Sequence, residues 1–505
     1  IQPIVALGLR MQEVGFKVLV LTNVNHVDFA RGMGLQARGT RRSFEEDQDG
    51  GQDMPDDEAQ LWREYREVRC FSPDLLVATV LSFVSGTLLS TIFRVPLVRL
   101  SLQPRTKEDE SEGVLWFLYN VLFGPELRIV NEAFGGHLGG ALWPSQEAFS
   151  LDWWKPLGPT LIAWPGELCA RPFEWETLAG FLTIDGEGHS DAQANSHFGG
   201  ELQGELERFL TEGDMAPAYV GWGSMVTDSP RQMACLAVRS LRKAGLRGII
   251  LGGWAELSAE MLRGEPDESE LLDFAARSVL WMQSARHETL FPRCSAIVHH
   301  GGAGTCAAAL RSGVPSVITP LTVDQPTNGR LIADAGYGVV TENLATVNKD
   351  ELGSALQKCA YDRRMHARCR ELSARLLRED GPGRAVAEIC CFMAEEGSGG
   401  VWQQRLDERR PLRVWQGAAP ARLAELAAGL RVRLSHGHLT TDGGQALGSA
   451  GDGDAAQLLD AALRSQALRA VDLSATTCSL RIRLPDRRVV VTEVNADFTL
   501  LELRA

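Results

Sequence analysis

The residues whose types and spacing best suit chemistry are His299-His300-Gly301-Gly302-Ala303-Gly304-Thr305. Apolar residues 296–298 lead into this run and an alanine-rich stretch follows it, so it reads as a turn between a strand and a helix. Such a turn aims backbone N–H groups at a phosphate. Its glycines let a diphosphate come close to the backbone, and a histidine there can donate a hydrogen bond to a phosphate oxygen. Glycine-rich strand-to-helix turns are common, and a lone Gly-x-Gly carries little weight. Here a second constellation follows. Gly313-Val314-Pro315 ends the helix, residues 316–319 form the next strand, and Asp324-Gln325 opens the helix beyond it. A carboxylate accepts hydrogen bonds and a carboxamide both donates and accepts, which suits vicinal hydroxyls. One strand on from the phosphate turn, the pair would stand at the carboxyl end of a parallel sheet, where ligands collect. Taken alone, Asp324 reads better as an ordinary helix N-cap.

The elements that must position these residues alternate between helix and strand, which predicts a parallel sheet with helices on its faces. Helix is expected from Gln2-Pro3, with proline suited to the first turn, followed by a strand at 17–21. Residues 45–58 read as an acidic, solvated loop. Residues 75–93 carry no charge, long enough to raise the question of a membrane span. Ser, Thr and Gly dilute the run, and it divides better into a strand at 75–80, a turn and a helix, with another strand at 95–100. Residues 184–200 lack periodicity and read as a linker between an α/β domain at 1–183 and a second at 201–396. In the second, a strand at 218–220 runs into Gly221-Trp222-Gly223-Ser224-Met225; Ser229 then caps a helix with Pro230 at its first position and Gly245 at its end. Further strands are expected at 248–251, 279–282, 296–299, 316–319 and 338–341. After a Gly/Ser linker, residues 401–505 form a small α+β extension, with helices at 420–430 and 455–470, strands at 480–484, 489–494 and 499–503, and a loop at 443–454. No function is assigned to it, and its Asp452-Gly453-Asp454 resembles an acidic metal motif only by coincidence.

Composition excludes several classes. The chain has 505 residues, 44% apolar and 23% charged, which is ordinary for a globular protein of two or three domains. A net charge of −14 argues against nucleic acid as a partner. The ten cysteines form no C-x-x-C pair, so a zinc or redox site is not expected, and scattered thiols point to a reducing, cytoplasmic setting.

Together these motifs resemble the UDP-sugar-dependent family 1 glycosyltransferases. Within that family, the sterol 3-β-glucosyltransferases and related bacterial antibiotic glycosyltransferases are most similar. The likeness covers residues 1–396. It rests on Gln2-Pro3, Ser101-Leu102-Gln103-Pro104, residues 221–225, His287 with Leu290-Phe291-Pro292, residues 299–305, Gly313-Val314-Pro315 and Asp324-Gln325-Pro326. The resemblance implies a GT-B fold of two Rossmann-like domains. It implies that His300 contacts the diphosphate, that Gly302, Gly304 and Thr305 cradle the α-phosphate, and that Gly223 and Ser224 approach it from the other side. Asp324 and Gln325 would bind sugar hydroxyls, and the base would lie against Ala285. Trp281 is near, though packing is the plainer role for it. Ser101 and Gln103 fall in a loop expected to bind the acceptor. The reaction implied is a single in-line displacement with inversion, UDP-glucose being the co-substrate, with no cofactor or metal.

Departures bear on these expectations. In the sterol-type branch the general base is an acidic residue immediately before the residues matching Ile1-Gln2-Pro3, so the first strand, its glycine loop and the base are expected to be missing here. Loss of that strand would leave its neighbours unpaired. His26 reads as a loop histidine rather than a substitute base. Thr322, Val323, Thr327 and Asn328 replace the aromatic and glycine residues usual around the Asp-Gln pair, and Arg286 replaces a proline, which bears on the identity of the sugar. The acceptor loops include residues 114–127, where Trp116, Phe117, Leu118, Val121, Leu122 and Phe123 could cover a flat lipid, touch a membrane peripherally, or simply pack. The leading expectation is glucosyl transfer to a sterol or similar lipid hydroxyl. The alternatives are a degenerate nucleotide-sugar-binding protein without turnover and a UDP-sugar epimerase of the same architecture.

Overall fold

The computed structural model describes residues 1–41, 55–106, 118–138, 141–143, 145–170, 172–184, 203–322, 324–397 and 400–417, together with six short strands between 433 and 495. The chain forms two units, Ile1–Glu126 with Trp154–Leu406, and Leu127–Trp153 with Asp407–Ala505.

In the first unit the opening helix α1 (Gln2–Glu13) has proline in its first turn, and Gly15 follows it at φ +98°. Then come β1 (Leu19–Asn23), α2 (Val27–Gly32), β2 (Gln36–Arg41) and α3 (Pro55–Phe71). The loop expected to reach 58 thus gives way to helix at Pro55. Proline suits a first helical position. The uncharged run resolves into β3 (Leu76–Thr79), a 3₁₀ turn and α4 (Phe83–Phe93), with β4 (Leu97–Ser101) beyond. No helix among the described residues is long and apolar enough to cross a membrane. Helices α5 (Gly124–Leu138) and α6 (Gln146–Trp154), nearly all of whose residues belong to the second unit, come next, and the first unit resumes with β5 (Thr160–Ile162) and β6 (Glu176–Leu178). These strands make two separate parallel sheets, β1-β2 and β3-β4-β5-β6.

After α7 (Gln203–Thr211) a six-stranded, all-parallel sheet begins. Its strands are β7 (Ala218–Val220), β8 (Gly248–Leu251), β9 (Val279–Met282), β10 (Ile297–His299), β11 (Ser316–Ile318) and β12 (Gly338–Val340). They lie in the order β12-β11-β10-β7-β8-β9. Strands buried on both faces explain why they read as apolar runs rather than alternations. Helix α8 (Pro230–Ala244) starts as expected: Ser229 Oγ accepts from Gln232 N–H, Pro230 follows, and Gly245 closes the helix at φ +70°. The other helices are α9 (Glu268–Ser278), α10 (His287–Leu290), α11 (Ala303–Ser312), α12 (Gln325–Asp334), α13 (Lys349–Tyr361), α14 (Arg363–Leu376), α15 (Gly381–Phe392) and α16 (Val401–Gly417). The core joins the sheets. Ala385, Val386 and Ile389 of α15 pack with Leu7 of α1, Val98, Leu100 and Leu161, while Ile162 and Trp164 pack with Cys306 and Leu310 of α11.

The second unit contains two antiparallel sheets. One joins β13 (Arg433–Ser435), β14 (His438–Thr440) and β15 (Ala446–Ser449), and the other joins β16 (Leu468–Val471), β17 (Thr477–Arg483) and β18 (Val489–Asn495). Strand β15 stands inside the expected loop, and β16 replaces the end of an expected helix, because pairing with neighbouring strands overrides local preference. Helix α16 covers residues for which the sequence reading placed no element. Residues 185–200 of the linker expected at 184–200, the helix at 420–430, the strand at 499–503, Trp116, Phe117 and Asp452-Gly453-Asp454 lie outside the described residues.

Candidate functional site

The six-stranded sheet changes direction between β7 and β10, which pair with each other while their successors run to opposite edges. At such a switch point the loops leaving two adjacent strands diverge and open a crevice. The loop after β7 is 221–225, and the loop after β10 is 300–302. Neither sequence segment reveals that the two are neighbours.

His300 lies where they meet. A Cβ placed on Gly223 would stand 3.4 Å from its Cε1, and one placed on Gly302 only 2.4 Å from its Nε2. Any side chain at Gly302 would therefore displace the ring. Burial pushes the imidazole down to about 4, aided by His287, so His300 is neutral near pH 7. Its Nδ1 is buried without a partner. His299 differs: it is fully buried, is lowered to about 3 by burial, and its Nδ1 accepts from Gly301 N–H at 3.1 Å. The first histidine thus shapes the turn and the second faces its mouth.

The turn needs its glycines. Gly301 has φ +93°, and a Cβ there would stand 2.8 Å from Ile318 Cγ2. Gly302 is the N-cap of α11 and has no side chain to cap it. The N–H groups of Ala303, Gly304 and Thr305 fall in the first turn, where a helix offers them no internal partner. Opposite them, Gly223 adopts φ +62°, and its carbonyl accepts from Trp254 N–H at 3.0 Å. Ser224 follows it, half-buried.

Asp324 stands at the N-cap position of α12 but makes no capping hydrogen bond. The plain N-cap reading preferred for it in isolation is therefore not what the structure shows. Burial raises its carboxyl above the usual range, and a hydrogen bond from Asn328 opposes that shift. Gln325 is buried and already engaged. Its Oε1 accepts from Leu321 N–H (2.8 Å) and Thr322 N–H (3.1 Å), and its Nε2 contacts Met225 Sδ at 3.2 Å. In this state it ties the loop after β11 to the loop after β7. Ala285 is buried in the core with Leu290 and Phe291, leaving its backbone as the part that can meet a base. Trp281 packs on the core, the plainer of its two readings. His287 is held by Tyr219, oxygen to Nε2 at 3.1 Å, and stacks on Phe291.

Ser101 and Gln103 lie just beyond β4 in another sheet. Ser101 Oγ donates to Gln103 O at 3.0 Å and accepts from Gln103 N–H, so the hydroxyl shapes its own turn, while Gln103 Oε1 is buried without a partner. His26 occupies a 3₁₀ turn after β1, and burial lowers it. Among the described residues no group of three or more His, Cys, Asp or Glu could hold a metal. Sequence reasoning missed Asn328 as a member of the site. The available signal was its i+4 spacing from Asp324 on a helix.

The fold is that of the GT-B glycosyltransferases. Two solved structures share it: the calicheamicin glycosyltransferase CalG4 (18% identity, 78% of this chain and 95% of that one, TM-score 0.56) and the spinosyn forosaminyltransferase SpnP (18%, 78% and 96%, 0.56). Residues 267–393 match the family described as erythromycin biosynthesis protein CIII-like, C-terminal domain. The chain is also similar to the sterol 3-beta-glucosyltransferase of Neosartorya fischeri, 34% identical over 63% of this chain and 22% of that protein. That of Arabidopsis thaliana is 24% identical over 76% and 65%. The chain thus spans less than a quarter of the fungal relative's length and about two thirds of the plant one's. The recognition of its motifs as those of family 1 glycosyltransferases, nearest the sterol-type and antibiotic branches, is borne out.

Proposed function

We propose that this chain is an inverting glycosyltransferase that carries glucose from UDP-glucose to the hydroxyl of a sterol or similar hydrophobic acceptor. The observation that carries the reading is His300: neutral, with an unpartnered Nδ1, lodged between the glycine-built N-terminus of α11 and the Gly223 loop at the switch point. That arrangement suits a diphosphate. Names of relatives support the sterol acceptor, since the sterol 3-beta-glucosyltransferases match over 63% and 76% of this chain.

The chemistry follows from the charges. As the acceptor hydroxyl gives its proton to a general base, its oxygen attacks the anomeric carbon, the bond to the diphosphate breaks and negative charge grows on UDP. The helix N-terminus and the His300 N–H stabilise that charge where it develops, a role that calls for no metal. Gly302, Gly304 and Thr305 hold the α-phosphate, with Gly223 and Ser224 on its other side. Asp324 and Gln325 orient the sugar, Gln325 after its carboxamide turns from the loop it now holds. The nucleobase lies on the backbone beside Ala285, and Ser101 and Gln103 face the acceptor. We place the reaction in the cytoplasm, with peripheral membrane contact through the apolar residues Val121 and Leu122, which are exposed.

Calorimetric titration with UDP in the presence of EDTA tests the donor site. Saturable binding is expected, weakened about tenfold or more in His300→Ala, as for loss of a charge-assisted hydrogen bond. No binding by a demonstrably folded chain would overturn the reading.

A further inference from the structure

We propose that Asn328 is a positioning residue for the donor sugar, locking the Asp324 carboxylate to the phosphate turn. The inference rests on the donor-site reading above and deepens it. Asn328 is fully buried on α12. Its Nδ2 donates to Gly301 O and to Asp324 Oδ2, both at 2.9 Å. Both partners can only accept, so the orientation of the amide is fixed by chemistry, and both of its N–H donors are used. Its Oδ1 is left buried without a partner. An orphaned buried acceptor costs free energy that an apolar side chain of similar size would avoid. Packing alone therefore does not explain an asparagine here, whereas a double donor does.

The two bonds act on different parts of the donor. Holding Gly301 O fixes the 301–302 peptide plane, and in a trans peptide the N–H of Gly302 then points away from Asn328. Holding Asp324 Oδ2 stops the carboxylate from rotating and gives Oδ1 one direction. It also opposes the burial that raises the Asp324 carboxyl, keeping it an acceptor for sugar hydroxyls. Sugar recognition is thus built to the same geometry as phosphate recognition.

The test compares affinities for UDP and UDP-glucose at pH 6 and pH 8 in wild type, Asn328→Leu, Asn328→Asp and Asp324→Asn. UDP affinity is expected to fall by no more than about threefold in the Asn328 variants, through the freed 301–302 peptide, and to stay unchanged in Asp324→Asn, while the UDP-glucose to UDP affinity ratio falls about tenfold in all three, roughly 1.4 kcal/mol. In Asn328→Leu the fall is expected to be larger at pH 6 than at pH 8, because loss of the hydrogen bond that opposes burial moves the Asp324 carboxyl further up. Wild type that binds no UDP overturns the donor-site reading itself. An unchanged ratio in folded Asn328 variants overturns only the role of Asn328. Equal loss of both ligands with a lowered melting temperature also overturns it, since that marks a purely structural residue. If neither Asn328 variant folds, Asp324→Asn decides: an unchanged ratio there leaves nothing for Asn328 to position.

Discussion

At the residue scale, three histidines set the pH behaviour. His299 is held at about 3 and His300 at about 4, and His287 is also lowered, in each case chiefly by burial. A lowered folded value means that the unfolded chain binds protons which the native chain refuses. For His299 and His300 stability is then full above the ordinary histidine range near 6.5 and falls as pH drops through the window from about 6.5 to 4, by about 1.4 kcal/mol per pH unit for each of the two, and His287 adds to the loss in the same direction. Denaturant melts at pH 7.0, 5.5 and 4.5 should show this loss. His300→Gln, which cannot be protonated there, should flatten the slope relative to wild type. Parallel slopes would show that His300 is not neutral in the native state.

At the scale of the element, the β10–α11 turn separates two kinds of glycine. Gly301 needs a left-handed backbone and faces Ile318 and the Gln325 backbone, which cannot yield easily. Gly302 has ordinary angles (φ −64°, ψ 145°), and its crowding comes from the His300 ring. Gly301→Ala is therefore expected to destabilise the fold by about 1–3 kcal/mol. Gly302→Ala should fold nearly normally but lose UDP binding, because the ring is pushed aside. Thermal melts and UDP titration on the two variants check the contrast. Equal behaviour would mean that the ring position is not what Gly302 protects.

At the scale of the whole first unit, α15 closes the chain back onto its beginning. Ile389 is fully buried among Val98, Leu100 and Leu161 of the first half, with Ala6 and Leu7 of α1 beside them. Ile389→Ala should cost about 2–5 kcal/mol through the lost burial and the cavity left behind. UDP affinity in the folded fraction should not change, since no donor-site residue lies in that cluster. A loss under 1 kcal/mol would show that α15 is not a structural clasp.

By itself the sequence determined the local rules. The strand–glycine turn–helix at 297–312, the Ser229 cap, and the split of residues 76–93 into strand and helix were all legible, because capping, proline placement and apolar runs act over a few residues. The family likeness was legible for the same reason, since its motifs are short. Tertiary structure alone decided that Gly223 faces the His300 ring, that Gln325 is spent on the 321–322 backbone, and that Asp324 answers to Asn328 rather than capping α12. It also decided β15 and β16, whose residues read locally as loop and helix. Strand order and side-chain partners join residues far apart in the chain. The free energy that fixes them comes from pairing and burial, which no local pattern records.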